Sequence, residues 1–185
     1  NTTWLEIIAV VFGIASVLFA RAENILVYPT GIISVLIYVY ILVQPEVKLY
    51  ADAGINIFYF IMSVYGWYMW TRKNKHKEEL KISMNSKKDW MISGIGLIIS
   101  FFIIVLLLKW LKSGDIEYWS ANLPYIDSFT TAIFIVGMLL MAFKKVENWT
   151  FWIIGDLISV PLYFYKGLVF SSFQFLVFLI LAIMG

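Results

Sequence analysis

Long apolar runs dominate this chain, and they restrict its fold more than any other feature. Seven runs, each close to the roughly 20 residues that a membrane-spanning helix needs, cover residues 4–20, 25–43, 48–70, 90–111, 126–143, 149–165 and 168–184. Hydrophobic residues make up 62% of the chain and charged residues only 14%. A soluble domain of this size does not need so large a share of apolar residues. The runs lack the alternation of barrel strands. The sequence therefore predicts an all-α integral membrane protein with seven transmembrane helices.

The two ends of the chain resemble each other at an offset of 124 residues. The matched pairs are Gly13 with Gly137, Phe19 with Phe143, Arg21 with Lys145, Glu23 with Glu147, Asn24 with Asn148 and Gly31 with Gly155. One residue of slip adds Ser34 with Ser159, Tyr38 with Tyr163 and Tyr40 with Tyr165. We interpret this similarity as an internal repeat of three helices.

The repeat predicts a 3+1+3 architecture. Residues 1–70 form the first three-helix repeat, 71–89 a basic cytoplasmic loop, 90–111 a connector helix and 124–185 the second repeat. Four crossings separate equivalent helices, so the repeats are parallel and are related by an axis along the membrane normal. In transporters built this way the substrate lies between the repeats, near the middle of the membrane.

Basic residues are distributed unequally between the two sides of the predicted membrane. Ten lysines and arginines fall on one side and four on the other. The side with ten is expected to be cytoplasmic, which places the N-terminus outside and the C-terminus in the cytoplasm. The basic loop can also be read as a lipid or nucleic-acid patch, but a solvated loop that sets the orientation is the simpler interpretation.

One predicted span carries an acidic residue far from its ends. Trp149, Trp152 and Asp156 occupy positions i, i+3 and i+7, which lie on one stripe of an α-helix. Asp156 is about 10 Å further along the axis than Trp149, close to the middle of the bilayer. A carboxylate there costs about 2.5–3.5 kcal/mol, so its default interpretation is functional.

Two indoles beside this acid favour an aromatic, cationic ligand. The alternative is a pair of interfacial tryptophans with an acid that is hydrogen-bonded to a neighbouring helix. In the first repeat, Ile25, Tyr28 and Ile32 occupy the matching places, so the predicted site is asymmetric although the scaffold is symmetric.

Polar residues on the third span form a second candidate surface. Asn56 and Tyr59 are three residues apart, and Ser63 continues the same helix face. This face can hydrogen-bond to a ligand, or it can hydrogen-bond to a neighbouring helix for about 0.6 kcal/mol. Both interpretations remain open.

Three further residues are candidate ligand contacts. Asp127 and Thr131 lie near the start of the fifth span and Gln174 lies in the seventh. A residue such as Asp127 at a helix start is also an ordinary N-cap, which is the main interpretation there. Pro29 and Pro161 are expected to kink the second and sixth spans and to give the repeats a place to flex.

The sequence shows no apparatus for enzyme chemistry. It contains no phosphate-binding loop, no metal-ligand set and no nucleophile with its base, so we expect no cofactor, no metal and no catalytic residue. The alternative to a transporter is a non-transporting membrane receptor or structural subunit, in which the aromatic residues serve only as packing.

Three segments resemble the PnuC family of bacterial vitamin transporters. They are YADAGIN at residues 50–56, YGWY at 65–68 and the pattern W-x-x-W-x-x-x-D at 149–156, and the resemblance extends over nearly the whole chain. It implies an architecture like that of the SWEET sugar transporters and a multi-pass protein of the bacterial plasma (inner) membrane. It also implies facilitated diffusion of an unphosphorylated vitamin, which a cytosolic kinase traps by phosphorylation. Trp149, Trp152 and Asp156 match the family's binding motif.

The resemblance leaves two substrates open. Nicotinamide riboside is the first candidate, and thiamine is the alternative because both are flat, hydroxyl-bearing cations. Asn56 stands where relatives of the nicotinamide riboside type commonly have glutamine, and many have asparagine at the position of Asp156. The expected partners are thus a small cationic vitamin and the lipid bilayer, with no nucleic acid, and association into a homo-oligomer is left open.

The expected mechanism follows from these residues. The cationic ring stacks on Trp149 and Trp152, Asp156 supplies the counter-charge, and Asn56 with Tyr59 orients the polar tail. The repeats then rock about this site. Phosphorylated forms are expected to be excluded, because the predicted site has no lysine or arginine to pair with a phosphate.

Overall fold

The computed structural model describes residues 2–44, 50–73, 79–165 and 169–185. Eight helices form within these ranges: α1 (Thr2–Arg21), α2 (Val27–Leu42), α3 (Tyr50–Thr71), α4 (Lys87–Leu111), α5 (Ile116–Ser120), α6 (Leu123–Ala142), α7 (Asn148–Tyr165) and α8 (Val169–Ile183). Seven are long, and they correspond one by one to the seven apolar runs. The all-α fold class with seven long helices is therefore confirmed. The predicted starts at residues 48 and 168, and the basic residues at 48, 75, 77 and 166, lie outside the described residues.

One short helix was not predicted, and one expectation about a helix end is wrong. The segment between α4 and α6, residues 112–123, contains the short helix α5. This helix has only five residues, and no apolar run in the sequence predicts it. Helix α6 begins at Leu123, so Asp127 is already inside the helix and is not its N-cap. The next residue, Ser128, donates its hydroxyl to the carbonyl of Pro124 at 2.6 Å, which is a bond within the first turns rather than a cap.

The prolines occupy different positions in their helices. Pro29 is the third residue of α2, where the missing N–H has no acceptor within the helix in any case. The kink expected there is therefore not required. Pro161 lies inside α7 and leaves the carbonyl one turn earlier without its usual donor.

Within the described residues, three helices are long and apolar enough by length and composition to cross a membrane. They are Trp4–Arg21, Lys87–Leu111 and Leu123–Ala142, and two shorter apolar helices are Val27–Leu42 and Ser171–Ile183. Helices α3 and α7 are long enough, but their polar and aromatic side chains lower their hydropathy. Those side chains include the candidate site residues.

Contacts between the long helices close six of them into a ring. Around the ring, α1 packs on α2, α2 on α3, α3 on α6, α6 on α7, α7 on α8 and α8 on α1. Helix α4 lies outside the ring against α6. Exchanging α1, α2 and α3 with α6, α7 and α8 reproduces every contact of the ring. This pattern agrees with two parallel three-helix repeats, and the division into these repeats remains a prediction.

Four glycines of the proposed repeat lie where the first two helices of each unit cross. A β-carbon at each would approach a side chain of the partner helix: Gly13 approaches Ser34 at 3.2 Å, Gly31 Ser16 at 3.0 Å, Gly137 Trp152 at 3.4 Å and Gly155 Phe134 at 2.3 Å. Small residues at these points let the helix backbones approach closely. The crossing in the second unit is thereby formed around aromatic rings.

The turns that follow α1 and α6 do not match as well as the glycines. The residue with a left-handed backbone is Glu23 in the first turn and Lys144 in the second. These residues are 121 apart, whereas the sequence match pairs Glu23 with Glu147. The expected equivalence of the two Glu-Asn pairs is thus displaced by three residues at the turns.

The ends of α3 and α6 are joined by Trp70. Its indole N–H donates to the carbonyl of Met141 at 3.0 Å, and the ammonium of Lys144 lies 4.5 Å from a centroid of the indole. Tyr28 contacts the same indole edge-on, with centroids 5.2 Å apart. On the other side of the ring, Arg21 at the end of α1 donates to the carbonyl of Met184 after α8 at 3.0 Å. The two seams between the three-helix units, where α3 packs on α6 and α1 packs on α8, are therefore both bridged at this end.

The segment before α4 lies across the turn between α6 and α7. The Ser83 N–H donates to the Lys144 carbonyl, and the Ser83 carbonyl accepts from the Val146 N–H, both at 3.1 Å. The ammonium of Lys145 pairs with the carboxylate of Asp89 at 3.0 Å. These contacts fasten the start of α4 to the start of α7.

Candidate functional site

Asp156 lies in the middle of α7 and is enclosed by protein. It is eight residues into an 18-residue helix, about 12 Å from the helix start. Its side chain is 1% exposed, and its Oδ1 atom has no hydrogen-bond partner among the described residues. A buried carboxylate oxygen without a donor is costly, and native structures rarely retain one without a reason. Asp156 is therefore an acceptor that a ligand can satisfy.

Trp152 is one turn before Asp156 and forms one end of a series of stacked rings. It stacks on Phe134 of α6 with centroids 5.4 Å apart and planes at 29°. Phe134 continues onto Phe175 of α8 at 6.0 Å, and Phe175 stacks on Tyr163 of α7 at 4.9 Å. We call these four residues, Trp152, Phe134, Phe175 and Tyr163, the aromatic column. The column fixes the side-chain plane of Trp152 against α6 and leaves that residue only partly buried.

Trp149 has different neighbours from Trp152. It is the second residue of α7, and its indole packs against the backbone of Gly185 after α8, where a β-carbon would lie 2.6 Å from the ring. Both tryptophans are partly buried. They share a helix stripe as predicted, but Trp149 is held at the end of the helix and Trp152 by the aromatic column. A shared ligand between the two indoles remains a prediction.

Tyr59 connects this region to the other three-helix unit. Its phenol on α3 interacts electrostatically with the Asp156 carboxyl and with the Tyr163 phenol, both on α7. Asn56 lies one turn before Tyr59 and is partly buried. The structure therefore brings Tyr59 near the acid, and Asn56 shares its helix face by position.

The remaining candidates are more dispersed. Gln174 accepts a hydrogen bond at 2.9 Å from the hydroxyl of Tyr38 on α2, and it lies near Gly13 of α1. It is directly next to Phe175, which belongs to the aromatic column, so the two side chains diverge by about 100° around α8. Asp127 and Thr131 are partly buried residues of the first half of α6, one turn apart. Their contact with a ligand stays a prediction.

The helices around Asp156 supply no basic side chain. Within their bounds, α3, α6, α7 and α8 contain neither lysine nor arginine. Asp156 makes no ion pair with any residue in the described parts of the chain. The arrangement therefore suits a ligand that brings its own positive charge and an aromatic face.

Reasoning from the sequence missed Phe134 and Phe175. Phe134 lies three residues before Gly137, one of the repeat glycines, so its position on the face that meets α7 could have been inferred. No comparable pattern marks Phe175, because its partners belong to α6 and α7 and depend on how the helices pair.

Comparisons with known proteins agree with this fold. A family model described as "Nicotinamide mononucleotide transporter" matches residues 3–185. "Nicotinamide riboside transporter PnuC" of Escherichia coli (strain K12) is 29% identical over 203 residues, which cover 100% of this chain and 84% of the relative. "Riboflavin/roseoflavin transporter RibM" of Streptomyces davaonensis is 24% identical over 186 residues, which cover 98% of this chain and 82% of that relative.

A solved structure resembles the whole chain. "Crystal structure of the Vitamin B3 transporter PnuC" matches with a TM-score of 0.73 and 23% identity, over 98% of this chain and 78% of that one. At this identity the likeness shows the fold alone. The expected resemblance to the PnuC family is confirmed, and so is the interpretation as a transporter rather than an enzyme. Since the family model spans nearly the entire chain, this multi-pass membrane protein belongs to the nicotinamide mononucleotide transporter family.

Proposed function

We propose that this protein carries nicotinamide riboside across the bacterial inner membrane by alternating access. The observation that supports the proposal best is the enclosed Asp156 carboxyl, whose Oδ1 has no partner among the described residues. A pyridinium ring can stack beside Trp152 and place its charge next to this acid. The ribose hydroxyls then face Tyr59 and Asn56 on α3.

The unphosphorylated riboside fits better than the mononucleotide of the family description. A phosphate is recognised by arginine, lysine or helix N-termini. The helices around Asp156 offer no basic side chain, and the acid would repel a phosphate. The riboflavin of the more distant relative is uncharged and would leave the acid without a counter-charge. Thiamine, which is also a flat cation, remains the alternative substrate.

The enclosure of Asp156 supports alternating access. A side chain that is 1% exposed is reached from either side only after the surrounding helices rearrange. The two three-helix units meet along α3 with α6 and along α1 with α8, so rocking about these seams can expose the acid to one side at a time. We propose that the N-terminus faces outside, that transport needs no ATP, and that a cytosolic kinase traps the product by phosphorylation.

Uptake into liposomes that contain the purified protein tests this proposal. Labelled nicotinamide riboside should enter above the level of protein-free liposomes, unlabelled thiamine should compete to a degree that ranks the two substrates, and the mononucleotide should compete weakly. Trp152→Ala should weaken binding by about 0.5–2 kcal/mol, or roughly 2- to 30-fold in Kd by calorimetry. Trp110→Ala is the matched control, since Trp110 on α4 is 78% exposed.

Two results would overturn the assignment. An absence of riboside uptake by a correctly folded protein would remove the proposed substrate. An unchanged Kd in a double alanine variant of Trp149 and Trp152 would remove the proposed site, whatever the substrate proves to be.

A further inference from the structure

A hydrogen bond within the helix ring joins the two three-helix units. The Tyr38 hydroxyl on α2 donates to Oε1 of Gln174 on α8 at 2.9 Å, and both residues are partly buried. Helices α2 and α8 are the two neighbours of α1 in the ring. A β-carbon on Gly13 of α1 would lie 3.2 Å from Oγ of Ser34 on α2 and 3.4 Å from Nε2 of Gln174. The bond therefore crosses the face of α1 that meets both neighbours, which is the face toward the interior of the ring.

This bond lies on the outer side of Asp156 in the proposed orientation. Gln174 is next to Phe175, which stacks on Tyr163 at 4.9 Å. Tyr163 is seven residues after Asp156 on α7 and so lies about 10 Å further from the inner end, where α7 begins. At that inner end, side-chain hydrogen bonds to backbone carbonyls bridge both seams between the units. The acid is thus enclosed by contacts between the units on both sides.

A second tyrosine makes a related contact at the other seam. Tyr163 on α7 is the repeat match of Tyr38, and it interacts with Tyr59 on α3 of the opposite unit. Exchanging the two units turns the helix pair α2 and α8 into the pair α7 and α3. Tyr59 also interacts with Asp156, so that contact belongs to the candidate site. The Tyr38 contact is a bond between two neutral groups that satisfy each other, and it can hold the units together without recognising the substrate.

The strength of such a bond suits a contact that opens in every transport cycle. A hydrogen bond between neutral side chains changes an equilibrium by about 2- to 15-fold, and by about 3-fold on average between membrane helices. This bias is sufficient to favour the closed arrangement. It is small enough for thermal motion to overcome without any other source of energy.

From this geometry we propose that the Tyr38–Gln174 hydrogen bond is the outer gate of the carrier, which breaks whenever the substrate enters or leaves on that side. The inference rests on the proposed function, including its orientation in the membrane. Gln174 is then a positioning residue, which acts through the placement of α8 and makes no contact with the substrate. A gate changes the rates of passage inward and outward by one common factor, so the final distribution of an uncoupled substrate stays the same.

The absence of cysteine from the chain allows a single thiol to report access to the site. In Asp156→Cys the thiol replaces a side chain that is 1% exposed. A membrane-impermeant thiol reagent is added to bacterial spheroplasts that express the full chain, and mass spectrometry follows the modification. Adding Tyr38→Phe, which removes only the hydroxyl, should raise the modification rate about 2- to 15-fold. Tyr40→Phe on the same helix is the matched control, because Tyr40 is 56% exposed. Equal rates in these two variants would overturn the gate.

Uptake into liposomes separates a gate from a contact with the substrate. Tyr38→Phe and Gln174→Met break the same bond, so each should change influx and efflux of labelled nicotinamide riboside at tracer concentration by one common factor. The double variant should show no additional change. Additive effects of the two substitutions, or fluxes equal to those of the unaltered protein, would overturn the gate. If the unaltered protein takes up no riboside, the proposed function fails, and the thiol modification rates still decide the gate.

A crosslink gives a test that does not depend on the folding of Asp156→Cys. Tyr38→Cys and Gln174→Cys are combined, and a reducible bifunctional thiol reagent joins the two positions. Uptake should stop after crosslinking and return after reduction, whereas each single variant treated in the same way should continue to transport. Uptake that continues after mass spectrometry has confirmed the crosslink would overturn the gate.

Discussion

Gly155 is the point at which a single methyl group should disturb the candidate site most. A β-carbon there would lie 2.3 Å from Cε1 of Phe134 and 2.8 Å from its Cδ1 and Cζ. Carbon atoms in contact are about 3.5–4.0 Å apart, so the Phe134 ring must retreat by about 1.2–1.7 Å in Gly155→Ala. The ring cannot do so freely, because Trp152 and Phe175 stack against it.

We therefore expect Gly155→Ala to lower the free energy of unfolding by about 1–3 kcal/mol, the usual cost of overpacking. Because Phe134 supports Trp152, the Kd for the substrate should rise as well. Thermal unfolding in detergent and calorimetry measure the two effects. Gly96→Ala on α4 is the matched control: its β-carbon meets nothing within 4 Å, and alanine favours a helix by up to about 1 kcal/mol.

The double variant of Gly155→Ala with Phe134→Leu separates steric conflict from general helix effects. Leucine removes the ring atoms that meet the new methyl group, so the two costs should fail to add by about 0.5–3 kcal/mol. The reasoning is refuted if Gly155→Ala unfolds at the same temperature as Gly96→Ala and binds the substrate equally well.

Two further predictions concern the end of the molecule where α3 meets α6 and α4 meets α7. Trp70→Phe should cost about 0.5–1.5 kcal/mol in thermal unfolding, since the hydrogen bond to the Met141 carbonyl is lost; an unchanged melting temperature would contradict it. Asp89→Asn should lower the melting temperature through the lost ion pair with Lys145, and added salt should reduce this difference; a difference that is independent of salt would contradict the charge argument.

The helices were the most predictable part of this protein. The thickness of a bilayer sets a similar length for every membrane-spanning helix. Each apolar run of that length therefore predicts a helix, whichever other helices pack against it. Helix α5 escaped prediction because five residues contain too little periodicity. Asp127 was misinterpreted as a cap for a related reason: α6 extends four residues before it, through a turn that contains Pro124.

The site was predictable only in part. The position of Asp156 follows from its place along a helix, and the structure encloses that residue. The stripe that contains Trp149 and Trp152 says nothing about which helices pack against it. One indole meets the end of α8 and the other meets Phe134 of α6. Such neighbours depend on the pairing of helices, which helical periodicity within one segment does not contain.

The proposed repeat also explains why only one of the two three-helix units needs an acid at the position of Asp156. Tyr38 and Tyr163 occupy matched positions, but the Tyr38 hydroxyl donates to Gln174 of the opposite unit. Tyr163 instead interacts with Tyr59 of the opposite unit, which also interacts with Asp156. At one seam the polar groups satisfy each other, and at the other they converge on a carboxyl that keeps an unpartnered oxygen. A carboxylate at Ile32, the match of Asp156, would demand a second cation, so the asymmetry suits the proposed transport of one cation in each cycle.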